Sequence, residues 1–404
     1  MKHGDRDGLG ILNVGTLPPH LGGSALANAE LIRGLVRLGH DVRVISPITP
    51  EQYELEATCP SWDFRELAVE RIALEYVSPS HPPPEAYRRK KGKRIAEAFD
   101  RLVEQSRPDI VMLARESFAW YVPELCRRWD LPSVLIACGT PTSGFLENIY
   151  AEAIQRELMN QYRKVDLIVT VSRHLEDIIR FFDITNVVTI HNGVDLNLFR
   201  PEPKDRKLLE ALNIGFDDIV IGHISQLNAR KRPLDIVHSA RLALKEDAKL
   251  VYLIIGEGPC RAQMEQACRG YGIDQNFRFT GRVPFQDMPP YVNLTDMVLM
   301  PSEQEGLSRA YLETQACARV LMASAIPPAR EVIDDGETGL LFQRGDINEI
   351  AAKTLLVARN PELRQRIGER ARKRAEQNNL DTVIRAYSDV LVRTFRSYRS
   401  NRGL

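Results

Sequence analysis

MVLMPSEQEGLSRAYLETQACARVLMA, residues 297–323, decides the fold. Its ends, Met297 to Met300 and Val320 to Ala323, are short apolar runs, and a loop and a helical pattern separate them. A short apolar strand, a helix and a second such strand make a βαβ unit. Its parallel strands are covered on both faces and so carry apolar residues at successive positions. The alternation continues outward in both directions. Towards the C-terminus it predicts a strand at Leu340 to Phe342. Towards the N-terminus it predicts Phe277 to Thr280, Leu250 to Ile255 and Ile219 to Ile224, then Val187 to Ile190, Leu167 to Thr170, Val134 to Ala137, Ile110 to Leu113, Val42 to Ile45 and Gly10 to Val14. The expectation is an α/β protein with two similar parallel sheets.

At 404 residues the chain is long enough for two domains. The segment NGVDLNLFRPEPKDRK (192–207) supplies the boundary: Asn192-Gly193 gives a turn, and Pro201 and Pro203 interrupt regular structure. The predicted organisation is a first domain over 1–198, a second over 199–378 and a helical tail over 379–404. The 54 basic and 54 acidic residues cancel, which disfavours a protein that holds nucleic acid by neutralising phosphates. No apolar run approaches membrane-spanning length and the N-terminus lacks a signal-like apolar core, so the expected location is cytoplasmic. The six cysteines form neither a CxxC pair nor a zinc spacing and are read as reduced thiols. Asn293-Leu294-Thr295 matches a glycosylation acceptor that such a location would not use.

Three motifs carry chemistry. In PSEQEGLSRAYLETQACA (301–318), Glu305 stands in a glycine-containing turn and Glu313 follows eight residues later. Within one helix that spacing would set the carboxylates about 80° apart. With Glu305 in the preceding loop, both can face one crevice at the carboxyl end of a strand, where open α/β sheets bind ligands. Carboxylates there suit a polyhydroxylated ligand, and the amides of Leu307, Ser308 and Arg309 at the helix start suit an anion. HISQLNARKRPLDIVHSA (223–240) places Arg230, Lys231 and Arg232 in a strand-to-helix loop, where cations can balance a leaving phosphate. Near the N-terminus, Gly22-Gly23-Ser24 leads into an amphipathic helix and lets backbone amides approach an anion. The pattern is not GxGxxG, so a dinucleotide dehydrogenase fits poorly. GEGP at 256–259 is a tight strand-to-helix turn starting at Gly256, and FTGRV at 279–283 can hold a flat base with its backbone.

In this order, together with REVIDDGETGLLF at 330–342, these pieces resemble glycosyltransferase family 4, whose members have the GT-B fold. The resemblance covers most of the chain and is strongest from Ile221 to Phe342. The basic loop is also similar to that of the branch making glucosaminyl malate. What the resemblance implies is two Rossmann-like domains facing across a cleft, a UDP- or GDP-sugar donor held mainly by the second, and transfer with retention at the anomeric carbon. Under it Glu313 binds the ribose hydroxyls, Glu305 contacts the hexose, and Leu307 and Ser308 approach sugar and phosphate. Lys231, with Arg230 and Arg232, meets the diphosphate, while Gly22 and Gly23 approach it from the first domain. Arg282 and Val283 fall where the family cradles the base, and Gly256 belongs to the donor-binding set. The final helix crosses back to the first domain.

The resemblance further implies a front-face reaction in which a donor phosphate oxygen takes the acceptor proton. It implies no metal and no other cofactor. The acceptor is a glycan, a lipid-linked sugar or a small molecule, in polysaccharide or glycoconjugate assembly. Arg115 and Glu116 after one strand, and Cys138, Gly139 and Thr140 after the next, are the acceptor-side candidates. The run YRRKKGKR (87–94) can attract an anionic inner-membrane surface or a lipid-linked acceptor. The chain departs from the family pattern at Gln226, where an arginine is common, and at Leu307-Ser308 of the usual EGFG. It departs again at Arg319, where a glycine is usual, and at Cys138, where a histidine is usual. These departures motivate a second reading, a protein of the same fold that binds the donor without turning it over.

Overall fold

The computed structural model describes residues 8–19, 22–52, 54, 67–74, 85–139, 142, 152–247 and 249–403. The described residues gather into two compact units, Met1–Asn192 with Asp381–Leu404, and Gly193–Leu380.

The first unit is built on a parallel sheet in the order β3-β2-β1-β4-β5-β6-β7. Its strands are β1 Gly10–Val14, β2 Asp41–Ile48, β3 Ala68–Ala73, β4 Ile110–Leu113, β5 Ser133–Ala137, β6 Leu167–Thr170 and β7 Val187–Thr189. The second unit holds β8 Ile219–Ile224, β9 Leu250–Ile255, β10 Phe277–Gly281, β11 Met297–Met300, β12 Val320–Ser324 and β13 Leu340–Phe342, in the order β10-β9-β8-β11-β12-β13. Neighbouring strands pair in parallel, as the aliphatic runs predict. Both sheets reverse direction once, between β1 and β4 and between β8 and β11. A crevice outside the carboxyl ends of such a pair is where open α/β sheets take ligands.

One strand was not foreseen. Ala68–Ala73 (AVERIA) lies at the sheet edge, paired to β2 from Arg43↔Ala68 to Ile48↔Ala73. An edge strand needs only partial cover. Ile72 alone of its side chains is buried, while Glu70 pairs with Arg101 and Arg71 donates to the Ser46 hydroxyl.

The division falls at the Asn192-Gly193 turn that opens the expected boundary segment, 192–207, six residues before the 198 at which the first domain was expected to end. The Val194 amide donates to the Asn378 carbonyl, the Leu380 amide donates back to Val194, and Phe199 is fully buried against Phe285. These contacts tie 193–199 to the second unit. Likewise 379 and 380 close the second unit, and the helix Leu380–Ser400 belongs with the first from Asp381 on. It buries Ile384, Tyr387, Val390 and Leu391 along one face. Ile384 fills the space left by Gly34, Ser388 meets His40 at 2.7 Å, and the Tyr398 hydroxyl donates to Asp130 at 2.9 Å.

In the second unit the helix Pro361–Glu376 crosses the end of the helix Arg309–Ala316 closely enough that only glycine fits at 368. A β-carbon there would lie 2.2 Å from the Ala318 carbonyl oxygen. Four residues on, the Arg372 guanidinium donates to the carbonyls of Ala316 and Phe199 at 2.7 and 2.8 Å, placing a cation at the negative end of the helix it caps. Gly368→Ala is expected to cost about 1–3 kcal/mol, the usual penalty of overpacking. A lowered urea midpoint for the second unit would show it, and an unchanged midpoint would mean that the crossing yields without strain.

The described cysteines, Cys126, Cys138, Cys260, Cys268 and Cys317, are free thiols; Cys59 lies outside the described residues. Asn293 is buried and spends its amide on the carbonyls of Arg200 and Pro289, so its side chain is closed to modification. Among the described residues no helix is long and apolar enough to cross a membrane.

Candidate functional site

The site of the second unit forms where β8 and β11 end side by side. β8 finishes in His223-Ile224, and His223 is fully buried. Its Nδ1 lies 2.8 Å from the Leu299 carbonyl of β11 and its Nε2 lies 2.7 Å from the Ser225 hydroxyl. A carbonyl can only accept, so Nδ1 carries the proton and Nε2 accepts from the serine. Burial, with the Lys231 charge adding to it, pushes this imidazole down to about 4. It therefore stays neutral and ties the two strand ends together. Sequence reasoning passed over His223; a histidine inside an otherwise apolar strand was the available signal.

The loop after β8 runs beside the loop after β9. Leu227 donates to the Glu257 carbonyl at 3.0 Å, and Cys260 donates to the Leu227 carbonyl at 2.9 Å. Gly256 makes this approach possible: its φ is 142°, and a β-carbon would stand 1.8 Å from the Ser225 carbonyl oxygen. Asn228 then caps a single 3-10 turn, Ala229–Lys231, by accepting from the Lys231 amide. Arg232 follows in the left-handed region and starts the helix Pro233–Ala243, with proline at its first turn.

This tight sequence sends the neighbouring side chains of Lys231 and Arg232 different ways. Lys231 forms a buried ion pair with Glu305. Arg232 turns instead to Asp235, at 2.7 Å, and to Glu303, at 3.1 Å. The Arg230 carbonyl accepts from the Glu303 amide at 2.8 Å and so links the basic loop to the glutamate loop. Burial by itself would raise the Glu305 carboxyl. The charge and hydrogen bond of Lys231, with the Arg230 charge behind them, outweigh it and hold the group below the usual carboxylate range. The result is a carboxylate fixed in its charged form, with a cation in contact, at the carboxyl end of the sheet.

The helix Arg309–Ala316 starts at Ser308 without a side-chain cap. Leu307 and Ser308 are buried at its entry. Glu313, also buried, accepts from Arg309 Nε at 3.3 Å, and that guanidinium lies 4.9 Å from the Phe285 ring centroid. Glu305 and Glu313 thus occupy the loop and the helix that the spacing argument assigned to them. Beyond β10, Arg282 is exposed and Val283 half-exposed. Arg282 and Arg261 lower the Glu257 carboxyl together, Arg261 foremost through a hydrogen bond.

In the first unit, Gly22 stands at φ 113° and opens the helix Gly23–Arg37, with both glycines exposed. The preceding loop is anchored by a buried reciprocal pair in which Asn13 donates to Asn28 at 3.0 Å and Asn28 donates back at 3.2 Å. Arg115 follows β4 on extended backbone. Glu116 is buried and its Oε1 accepts from the Gly139 amide at 2.7 Å and from the Thr142 hydroxyl at 3.4 Å. It braces the loops after β4 and β5. Burial, with the Glu116 charge added, pushes the Cys138 thiol well up, so it remains protonated. Thr140 lies outside the described residues. Among the described residues no group of three or more His, Cys, Asp or Glu side chains is gathered as a metal site would require.

A family model described as "Glycosyl transferases group 1" matches residues 205–374, and one described as "Glycosyltransferase Family 4" matches residues 21–198. N-acetyl-alpha-D-glucosaminyl L-malate synthase of Bacillus anthracis is 24% identical to this chain over 401 residues, 97% of this chain and 99% of its own. Among solved structures, Anabaena HepE in complex with UDP and glucose superposes with a TM-score of 0.76 at 17% identity, over 95% of this chain and 99% of its own. Sucrose-phosphate synthase of Thermosynechococcus elongatus gives 0.79 at 16% identity, over 96% and 100%. At such identities the likeness to solved structures is one of fold.

Proposed function

From the premise that this chain belongs to glycosyltransferase family 4, and so is a glycosyltransferase of the GT-B fold, we propose that it transfers a hexose from a UDP- or GDP-sugar to a glycan, lipid-linked or small-molecule acceptor. The transfer proceeds with retention, and the process served is polysaccharide or glycoconjugate assembly. The observation that carries the reading is the buried Lys231–Glu305 pair at the β8/β11 reversal, with Glu313 on the adjoining helix.

In this reading the bond between the anomeric carbon and the diphosphate oxygen breaks, and its electron pair leaves with the nucleoside diphosphate. Lys231 and Arg230 offset the charge that develops there, which is worth most in a partly dry site. A donor phosphate oxygen accepts the proton of the acceptor hydroxyl, and that hydroxyl oxygen bonds to the anomeric carbon on the face the leaving group vacates. Glu305 orients the hexose hydroxyls, Glu313 accepts from the ribose hydroxyls, and the backbone at Leu307 and Ser308 meets sugar and phosphate. No metal is called for, because protein cations meet the leaving charge. The HepE complex with UDP and glucose supports the donor class, and the malate synthase relative supports a small-molecule acceptor.

The test is nucleoside-diphosphate release from UDP-, GDP- and ADP-sugars, with Glu313→Ala as control. One donor is expected to be hydrolysed slowly, and its binding to weaken about tenfold or more in Glu313→Ala, since the ribose loses charge-assisted hydrogen bonds. Equal binding by both proteins would remove Glu313 from the donor site. Donor binding without release, becoming release in Cys138→His, would favour the binding-only reading.

A further inference from the structure

The helix Glu85–Gln105 buries Ile95, Ala98, Phe99 and Val103 against the first sheet. At helical spacing the same face continues back through Lys91 and Arg88, so two cations stand where the pattern calls for apolar residues. Arg88 has partners: its guanidinium lies 4.4 Å from the Trp120 ring centroid and 3.5 Å from Glu157. Lys91 is different. Its ammonium lies 4.9 Å from the Phe118 ring centroid and 5.9 Å from that of Tyr121, and its charged neighbour is another cation, Arg115. Burial, reinforced by Arg115, pushes Lys91 down to about 8.

Two features show that this placement is built. Gly92 admits the Tyr121 ring, because a β-carbon there would lie 2.8 Å from Tyr121 Cδ1. Next to Arg115, Glu116 is already engaged by Gly139 and Thr142, and Glu85 and Glu97, six residues either side of Lys91 on its helix, pair with Arg89 and Lys93. Contact with aromatic faces attracts a cation, yet it does not offset the cost of burying the Lys91 ammonium beside a second cation, the half-exposed Arg115. A bound anion would. Arg115 follows β4, which borders the reversal in the first sheet, and so the pair lies where a ligand of this unit is expected.

We propose that Lys91 and Arg115 together bind an anionic group, a phosphate or a carboxylate, of a small-molecule acceptor. The word acceptor rests on the function proposed above; the anion site rests on the first unit alone.

The experiment titrates inorganic phosphate and, separately, succinate into wild-type protein, Lys91→Met, Arg115→Met and Lys91→Arg, following binding by calorimetry. At least one anion is expected to bind the wild type and to bind about tenfold more weakly in each methionine variant, as loss of a charge-assisted contact predicts. Lys91→Arg keeps the charge and should recover binding even if Met lowers stability. Preference for phosphate assigns a phosphorylated acceptor, and preference for succinate assigns a carboxylic acid. Equal binding in wild type and both methionine variants, or binding of neither anion to the wild type, overturns the proposal. So does cosedimentation with phosphatidylglycerol vesicles that is lost in Lys91→Met without any soluble anion binding. UDP titrated into the same wild-type sample reads the donor site independently. If UDP fails while the anion binds through Lys91, the anion site stands and its assignment to an acceptor falls.

Discussion

Lys231→Ala is expected to lower turnover by about 10²-fold or more, because in the proposed reaction the leaving diphosphate loses the Lys231 charge. A second consequence separates this residue from an ordinary surface lysine. Removing it leaves the buried Glu305 carboxylate with only the Arg230 charge and the Ser302 hydroxyl in its favour, and stripping one partner from a buried pair costs about 3–5 kcal/mol. The sign with pH follows from the direction of the Glu305 shift. In the wild type its carboxyl is held low, so the pair contributes stability above the ordinary carboxyl range and loses it as pH falls through the lowered value. In Lys231→Ala burial dominates and the group is raised. The penalty is then present at neutral pH and fades as acid neutralises the carboxylate. The gap in thermal midpoint between wild type and variant should be widest near neutrality, narrow as the variant's raised carboxyl takes up its proton, and close only as pH falls through the lowered wild-type value. The double variant Lys231→Ala/Glu305→Gln should regain stability without regaining turnover. A gap independent of pH would mean that Glu305 does not depend on Lys231, and wild-type turnover would remove the lysine from the reaction.

Gly256→Ala should be the most damaging single methyl addition near the site. At φ 142° an alanine is strained whatever the space, and its β-carbon would stand 1.8 Å from a backbone oxygen, that of Ser225. Strain and overpacking, at about 1–3 kcal/mol each, should together cost about 3 kcal/mol or more. Relief requires the Ser225 carbonyl to move, and Ser225 lies six residues before Lys231 in the same loop. A displacement of about 1 Å at a reacting group is enough for a 10²-fold loss. The variant should therefore show both a lower urea midpoint for the second unit and a loss of donor turnover. Full activity would show that the two loops move independently.

How much of this was legible in the sequence depends on what each feature is made of. Central parallel strands announce themselves because both faces are covered, and Ile219–Ile224 and Leu250–Ile255 match their apolar runs residue for residue. The edge strand Ala68–Ala73 did not, because a strand covered on few sides carries Glu70 and Arg71 and reads as a loop. In the site, Lys231, Glu305 and Glu313 were legible because each lies in a contiguous motif beside a strand end. Where each side chain points was not. Arg232 stands beside Lys231 in sequence, yet a left-handed backbone turns it to Asp235 and Glu303. Glu116 read as an acceptor-side group, and nothing in its motif signalled that its Oε1 accepts from the Gly139 amide. YRRKKGKR reads as a charged surface, and only packing separates exposed Arg89 and Lys93 from Arg88 and Lys91 on the inner face.

The first unit is assembled from two stretches of chain that are far apart in sequence, 1–192 and 381–404. During synthesis this inverts the order in which the halves can finish. At roughly 5–20 residues per second, a ribosome needs about 10 to 40 s to go from residue 193 to the helix that covers Gly34 and engages His40 and Asp130. Throughout that interval the earlier-made half waits with an apolar seam open, while the later-made half gains every strand of its sheet before that helix is made. The nascent chain's exposure to holding chaperones should therefore fall on the half that emerges first.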